Sequence, residues 1–253
     1  MFKNNYKVRI ADSRDEVRDA LRLRYEVFNL EMNEGLKASH ASGFDEDEFD
    51  AVCDHLVILE EYSGAVVGTY RMQSGAIARR NIGFYSAREF DFEPFMPFQD
   101  QLVELGRACV HRDHRSIIVI SLLWKEIVRY VLKNNARYMI GCSSLTSQDS
   151  SLGHAMYRKF AKDGVLADPP FLTKPLQDFI LPPADPLSPC PPPPKLLRAY
   201  LGVGAKICGE PAIDREFGTI DFLTILDCQN GSPIATERFL ERPNGIKASL
   251  DPL

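Results

Sequence analysis

Apolar residues alternate over residues 6–11 and predict a first strand. Ser13-Arg14-Asp15-Glu16 follows with capping-box spacing, in which the Ser13 hydroxyl accepts an amide and Glu16 reaches back to Ser13. The period then changes. Val17, Leu21, Tyr25 and Phe28 recur at helical spacing and predict a helix over 14–32 with those residues on its buried face. Residues 55–60 and 65–72 read as strands joined by a hairpin turn at Ser63-Gly64. Residues 75–101 carry no clear period. Ser86-Ala87-Arg88-Glu89 is a second capping-box match and predicts a short helix, while Pro94 and Pro97 break what precedes them.

Residues 102–110 read as a buried strand, 116–134 as a long amphipathic helix, 136–143 as a strand and 150–162 as a helix. Strand, helix and strand in that order predict a parallel pair with a right-handed crossover. Residues 182–194 hold eight of the chain's 17 prolines, which favours an extended polyproline II strap. Strand-like segments at 205–208 and 219–227 follow. They are too few to fold alone and are expected to complete the same sheet. Residues 1–253 thus read as one α/β domain, and that length is ample for a buried core.

Composition narrows the function. At 45% hydrophobic and 26% charged the chain is globular rather than disordered, and a net charge of −5 argues against general nucleic-acid binding. Apolar runs such as Ile117-Ile118-Val119-Ile120 are far shorter than the roughly 20 residues that span a bilayer. Met1-Phe2-Lys3-Asn4-Asn5 lacks the apolar region of a signal peptide. The six cysteines show neither close pairing nor zinc-site spacing, so they read as free thiols in a reducing cytoplasm, with no metal site expected. The charge is uneven. Residues 40–62 hold eight carboxylates and no Lys or Arg, and the start of this segment is expected to be an exposed acidic loop. Between Glu104 and Arg137, seven basic side chains stand against three acidic ones.

Two polar residues interrupt the apolar strand Leu102-Val103-Glu104-Leu105-Gly106-Arg107-Ala108-Cys109-Val110. Burying either charge unpaired costs several kcal/mol, so Glu104 and Arg107 mark a structural ion pair, an edge strand, or a strand that opens onto a cleft. Gly106 permits a bulge there, which frees backbone N–H groups. A carboxylate beside free N–H groups suits acyl transfer, in which one takes a proton and the others stabilise an oxyanion. Just beyond, His111, Arg112, Arg115 and Ser116 lead into the long helix. Its N-terminus with two arginines makes a phosphate site; alternatively these are solvated loop residues.

Strand, basic loop, helix, strand, and helix with Met156-Tyr157-Arg158-Lys159-Phe160 resembles the core of the Gcn5-related N-acetyltransferases (GNAT). The resemblance places the pyrophosphate loop on residues 111–116. The glycines usual in that loop are missing here, which points the donor away from acetyl-CoA. The likeness sharpens in Arg24-Tyr25-Glu26-Val27-Phe28, Asp50-Ala51-Val52-Cys53-Asp54-His55-Leu56 and Gly68-Thr69-Tyr70-Arg71. It continues in Gly83-Phe84-Tyr85-Ser86 with Glu89-Phe90, and in Glu104-Leu105-Gly106-Arg107 with Val110-His111. Together these resemble bacterial ornithine N-acyltransferases and N-acyl amino acid synthases, and more distantly acyl-homoserine lactone synthases.

The resemblance implies a GNAT-like mixed, twisted sheet flanked by helices. It implies transfer of a long acyl chain, 3-hydroxylated chains included, from acyl carrier protein to an amino acid's α-amino group, with ornithine as the first acceptor. No permanent cofactor is implied; the donor's handle is phosphopantetheine, on acyl carrier protein or coenzyme A. Glu104 would be the base, or else a partner of Arg107 or Arg71. Arg107 and Arg71 would hold the acceptor carboxylate or orient Glu104. Tyr157 would protonate the leaving thiolate, or only pack. His111, Arg112, Arg115 and Ser116 would bind the donor's phosphates. Arg24 and Phe28 would cover the thioester, with Phe28 equally readable as core. Asp50 and Asp54 would bind an ammonium group, or belong to the acidic loop. The basic stretch from Glu104 to Arg137 suits docking of an acidic carrier. The expected place is the cytoplasm, with peripheral contact at the inner membrane left open by a lipid product. An acyl-homoserine lactone synthase and a non-catalytic carrier- or lipid-binding module are the rival readings.

Overall fold

The computed structural model describes residues 5–185 and 188–229. Residues 1–4 of the amino-terminal reading and 186–187 of the proline-rich stretch lie outside the described residues. The chain runs β1 (Tyr6–Ile10), α1 (Arg14–Tyr25), α2 (Ser39–Ser42), β2 (Asp54–Glu60), β3 (Val66–Ser74), α3 (Gly75–Arg80) and β4 (Leu102–Val110). It continues α4 (Ile117–Lys133), β5 (Tyr138–Leu145), α5 (Ser150–Lys162), α6 (Lys195–Gly202), β6 (Lys206–Ile207), β7 (Ala212–Asp214) and β8 (Thr219–Asp227). The strands make one mixed eight-stranded sheet in the order β1-β2-β3-β4-β5-β8-β6, with β7 on β8. Among the described strand pairs β4–β5 alone is parallel, and α4 makes that crossover.

The two faces follow from strand alternation. Val103, Met139, Leu56 and Met72 point to one side, where α4 buries Val119, Leu123, Trp124, Ile127 and Tyr130. Leu102, Ile140 and Leu223 point to the other, under Phe84, Phe90, Phe92 and Phe95 from the chain between β3 and β4. That aromatic cover is what the aperiodic stretch 75–101 becomes. Its prolines sit in a 3-10 helix, Glu93–Gln101, rather than between regular elements.

Several local expectations are corrected. Ser13 caps α1 by accepting the Glu16 amide, but Glu16 does not reach back to Ser13; its carboxylate binds Arg9 and the Asp12 amide. The helix does run on past Tyr25, as a π-helical segment, Glu26–Glu31. Val17 and Tyr25 are half-buried, and Leu23, Arg24 and Val27 join Leu21 and Phe28 in the interior. The second capping box is absent. Ser86–Arg88 is one 3-10 turn, the Ser86 hydroxyl donates to Glu104, and Glu89 is buried elsewhere.

Candidate active site

The parallel pairing of β4 with β5 runs from Leu102–Tyr138 to Glu104–Ile140 and stops. Past that point β5 stays with β8 to the Leu145–Ile220 pair, while β4 follows β3. The β3–β4 register slips between Thr69 and Arg71, because β4 carries a bulge. The strained residue is Arg107, at φ 49°, and not Gly106. A left-handed backbone at a non-glycine residue costs about 1 kcal/mol or more. Here it turns the Arg107 side chain between the rings of Tyr85 and Phe217, 4.9 and 4.3 Å from their centroids.

Glu104 lies beside Arg71 and Gln73 on the aromatic-covered face, buried and at the last residue of the parallel pairing. One carboxylate oxygen accepts the Tyr85 amide at 2.7 Å; the other accepts the Ser86 amide at 2.8 Å and the Ser86 hydroxyl. Gln73 ties the same segment down by donating to the Gly83 carbonyl at 3.0 Å. Burial raises the Glu104 pKa and the three hydrogen bonds oppose it, with a net shift upward. Glu104 is therefore anchored by backbone donors, and forms an ion pair with neither Arg107 nor Arg71.

The acidic segment before β2 is not a solvated loop. A 3-10 turn, Glu48–Ala51, is capped reciprocally by Asp47 and Asp50, and its aspartates turn inward onto three arginines. Arg24, wholly buried, holds both oxygens of Asp50 at 2.6 and 3.1 Å and donates from Nε to Asp45 at 2.7 Å. Arg71 bridges Asp47 and Asp50 at 2.5 and 3.1 Å, and Arg107 reaches Asp47 at 3.2 Å. Charges taken out of water survive only when paired in this way. Burial opposes the charge on Asp50, but Arg24 and Arg71 overcome it and hold the carboxyl well below its usual range. Asp54 is on the opposite face, accepting the Tyr130 hydroxyl at 2.7 Å, so the two aspartates do not form a pair.

The remaining expected residues fall in three places. Phe28 packs edge-on against Phe217 at 5.4 Å, within a cluster that includes Leu23, Val27 and Cys109. Tyr157 is half-buried on α5 beside Met156, Phe160 and Leu201, with its hydroxyl pKa raised by burial and by Glu210. The loop before α4 is a 3-10 turn, Arg112–His114, and Ser116 caps the helix through the Val119 amide. Arg115 is consumed by a two-toothed pair with Glu31 at 2.6 and 2.8 Å. His111 and Arg112 instead line a shallow cleft of about 240 Å³ with Glu26, Val27, Leu30 and Glu31.

A family model described as an acetyltransferase (GNAT) domain matches residues 23–125, the stretch from Arg24 to the first half of α4. An L-ornithine N(alpha)-acyltransferase of Rhodobacter capsulatus is 30% identical over 95% of this chain and 97% of its own. One from Brucella abortus is 32% identical over 87% and 83%. The chain belongs to the L-ornithine N(alpha)-acyltransferase family. It is an acyltransferase, and its fold is a single GNAT-like α/β domain. Two solved structures share that fold at low identity. The N-acyl amino acid synthase FeeM from uncultured soil microbes superposes with a TM-score of 0.56 at 12% identity, covering 92% of this chain and 98% of that one. The acyl-homoserine lactone synthase LasI gives 0.53 at 14%, covering 91% and 93%.

Sequence reasoning missed Asp45 and Asp47, the bases of the arginine lattice, and Ser86, the hydroxyl donor to Glu104. It also missed Glu34, Glu89, Asp214 and Asp221, all buried. A usable signal existed for Asp221. It interrupts the apolar strand β8 just as Glu104 interrupts β4.

Proposed function

We propose that this acyltransferase moves a long acyl chain, 3-hydroxylated chains included, from an acyl carrier protein to the α-amino group of L-ornithine. Kinship with the L-ornithine N(alpha)-acyltransferases supports the acceptor. The observation that carries the chemistry is the placement of Glu104. Its carboxylate is buried on the face where β4 and β5 cease to pair, with a raised pKa and one oxygen bound by only a single amide. An α-ammonium must lose a proton before nitrogen attacks a thioester carbonyl, and a buried carboxylate of raised pKa suits that transfer. Nitrogen forms the C–N bond as the C–S bond breaks; it gives up its second proton as the amide forms, and the phosphopantetheine thiolate takes one up. Tyr157, kept protonated by burial, is the proposed donor of that proton.

Arg71 and Arg107 hold the acceptor's carboxylate and fix the Tyr85–Ser86 segment under Glu104. Asp50 keeps Arg71 in place together with Arg24, rather than meeting an ammonium itself, and Asp45 and Asp47 hold Arg107. Donor phosphates meet Arg112 and His111 in the cleft beside Val27 and Leu30, with Arg115 and Ser116 shaping the loop. The basic stretch from Glu104 to Arg137 supports an acidic carrier over free coenzyme A. No helix among the described residues is long and apolar enough to cross a membrane, so contact with the bilayer where the lipid product resides is peripheral in this reading. Purified protein incubated with L-ornithine and 3-hydroxyacyl carrier protein should yield N-acylornithine by mass spectrometry. Acylation of S-adenosylmethionine in its place would turn the reading to a lactone synthase.

A further inference from the structure

A second group of buried carboxyls lies outside the arginine lattice. Glu89 follows the Ser86 turn, while Cys142 and Asp221 stand on neighbouring strands β5 and β8. Asp221 pairs with Ser144, two residues from Cys142, so these side chains share the sheet face that carries Glu104. Ligand atoms of Glu89, Cys142 and Asp221 all lie within 4.8 Å of one another. Glu89 is 1% exposed and Asp221 4%, and Oε1 of Glu89 and Oδ1 of Asp221 find no donor beyond a proton held between the two carboxyls themselves. Glu34 and Asp214 add negative charge around them, and Arg107 is the cation that acts on Glu89 and Glu34.

Two carboxyl oxygens that face each other in the interior need a proton or a cation between them, and a ligand that donates to both can take the proton's place. We propose that Glu89 and Asp221 bind the side-chain ammonium of a diamino-acid acceptor. An ammonium offers three N–H donors and one positive charge, which matches two facing carboxyls that otherwise share a proton. A divalent metal fits less well. Its third donor would be the Cys142 thiol, whose own proton is directed to Glu89 at 3.7 Å and is held firmly by burial and by the surrounding carboxylates. Tyr85 joins these carboxyls to the first site. Its amide binds Glu104, its ring lies against Arg107, and its hydroxyl donates to Asp214 at 3.4 Å. An acceptor whose α-nitrogen meets Glu104 thus has its far end directed to Glu89 and Asp221.

The inference rests on the ornithine reading, and the test separates the two. Full-length enzyme and a long-chain acyl thioester are assayed with L-ornithine and with L-norvaline, which has the same carbon chain but no side-chain amine. The parent should favour ornithine. Glu89→Gln and Asp221→Asn should each cut kcat/KM for ornithine about tenfold or more beyond any change for norvaline. If either variant fails to fold, calorimetry of the parent decides. Ornithine added without donor should displace the proton that the facing carboxyls share, and norvaline should displace none. A parent that favours norvaline overturns both the ornithine reading and this inference. A parent that favours ornithine, with variants that lose both acceptors equally or with no proton displaced, overturns the inference alone. Tight binding of zinc or manganese that chelation removes together with activity would assign the pocket to a metal instead.

Discussion

Glu104 accepts the backbone amide of Tyr85 at 2.7 Å, so the proposed proton acceptor and the segment that roofs it are held by one contact. The same residue therefore has a chemical task and a positional one. A substitution separates them only if both rate and stability are measured.

Glu104→Gln keeps the shape but brings an NH2 group toward two amide donors and a hydroxyl. Activity should fall by about 10²-fold or more if Glu104 is the base. Stability should fall by about 1–3 kcal/mol from the lost charged acceptors. Steady-state kinetics and denaturant unfolding read the two effects separately. Activity at the parent level in the folded variant would refute the base role.

Arg24 touches no open surface, so its replacement tests the lattice rather than the chemistry. Arg24→Met leaves Asp45 and Asp50 buried beside one fewer guanidinium. Removing one partner of a buried pair costs about 3–5 kcal/mol, which should appear in urea unfolding as a lower midpoint.

Two signs of pH dependence meet in this fold. Asp50 is held below its usual range by Arg24 and Arg71, so its stabilising contribution is complete above the unfolded carboxyl pKa and fades as pH falls toward the folded value. Burial does the reverse to Glu34, raised to about 7, and Asp221, raised to about 6. Folded, these two keep protons that the unfolded chain releases near pH 4, so their stabilisation is lost as pH rises toward 7. Stability of the ligand-free protein should therefore fall between about pH 5 and 7. Glu34→Gln should flatten that slope by up to about 1.4 kcal/mol per pH unit.

Tyr157→Phe retains the ring that packs against the cluster containing Met156 and Phe160 and removes only the hydroxyl. If the hydroxyl protonates the leaving thiolate, kcat should drop about tenfold or more with the melting temperature nearly unchanged. An unchanged kcat would leave Tyr157 as packing alone.

Arg112 is exposed, and its nearest acidic partner, Glu31, is already held by Arg115. Arg112→Glu should raise KM for the acyl carrier, and the salt dependence of KM should weaken, because a screened attraction has been removed. The acceptor KM should not move.

The strands, the crossover helix and the interrupted strand β4 are legible along the chain because their information is local. Alternation marks β2 and β3, the 3.6-residue period marks α4, and Glu104 stands out because a charge in an apolar strand needs a reason. Residues 40–62 misled for the complementary reason. Eight carboxylates without a nearby basic residue read as solvated, since the arginines that neutralise three of them come from α1, β3 and β4.

By itself the sequence determined the sheet's main strands, the long helix, the family resemblance and the candidacy of Glu104, Arg107 and Arg71. All of these depend on residue type and short spacing. Tertiary structure alone decided which charges are buried together. It put Asp45, Asp47 and Asp50 on the arginines, gave Glu104 to the Tyr85–Ser86 amides, and set Glu89 against Asp221 in the interior. Burial and pairing belong to groups far apart in the chain, and their energies depend on distance and dielectric that no local pattern encodes.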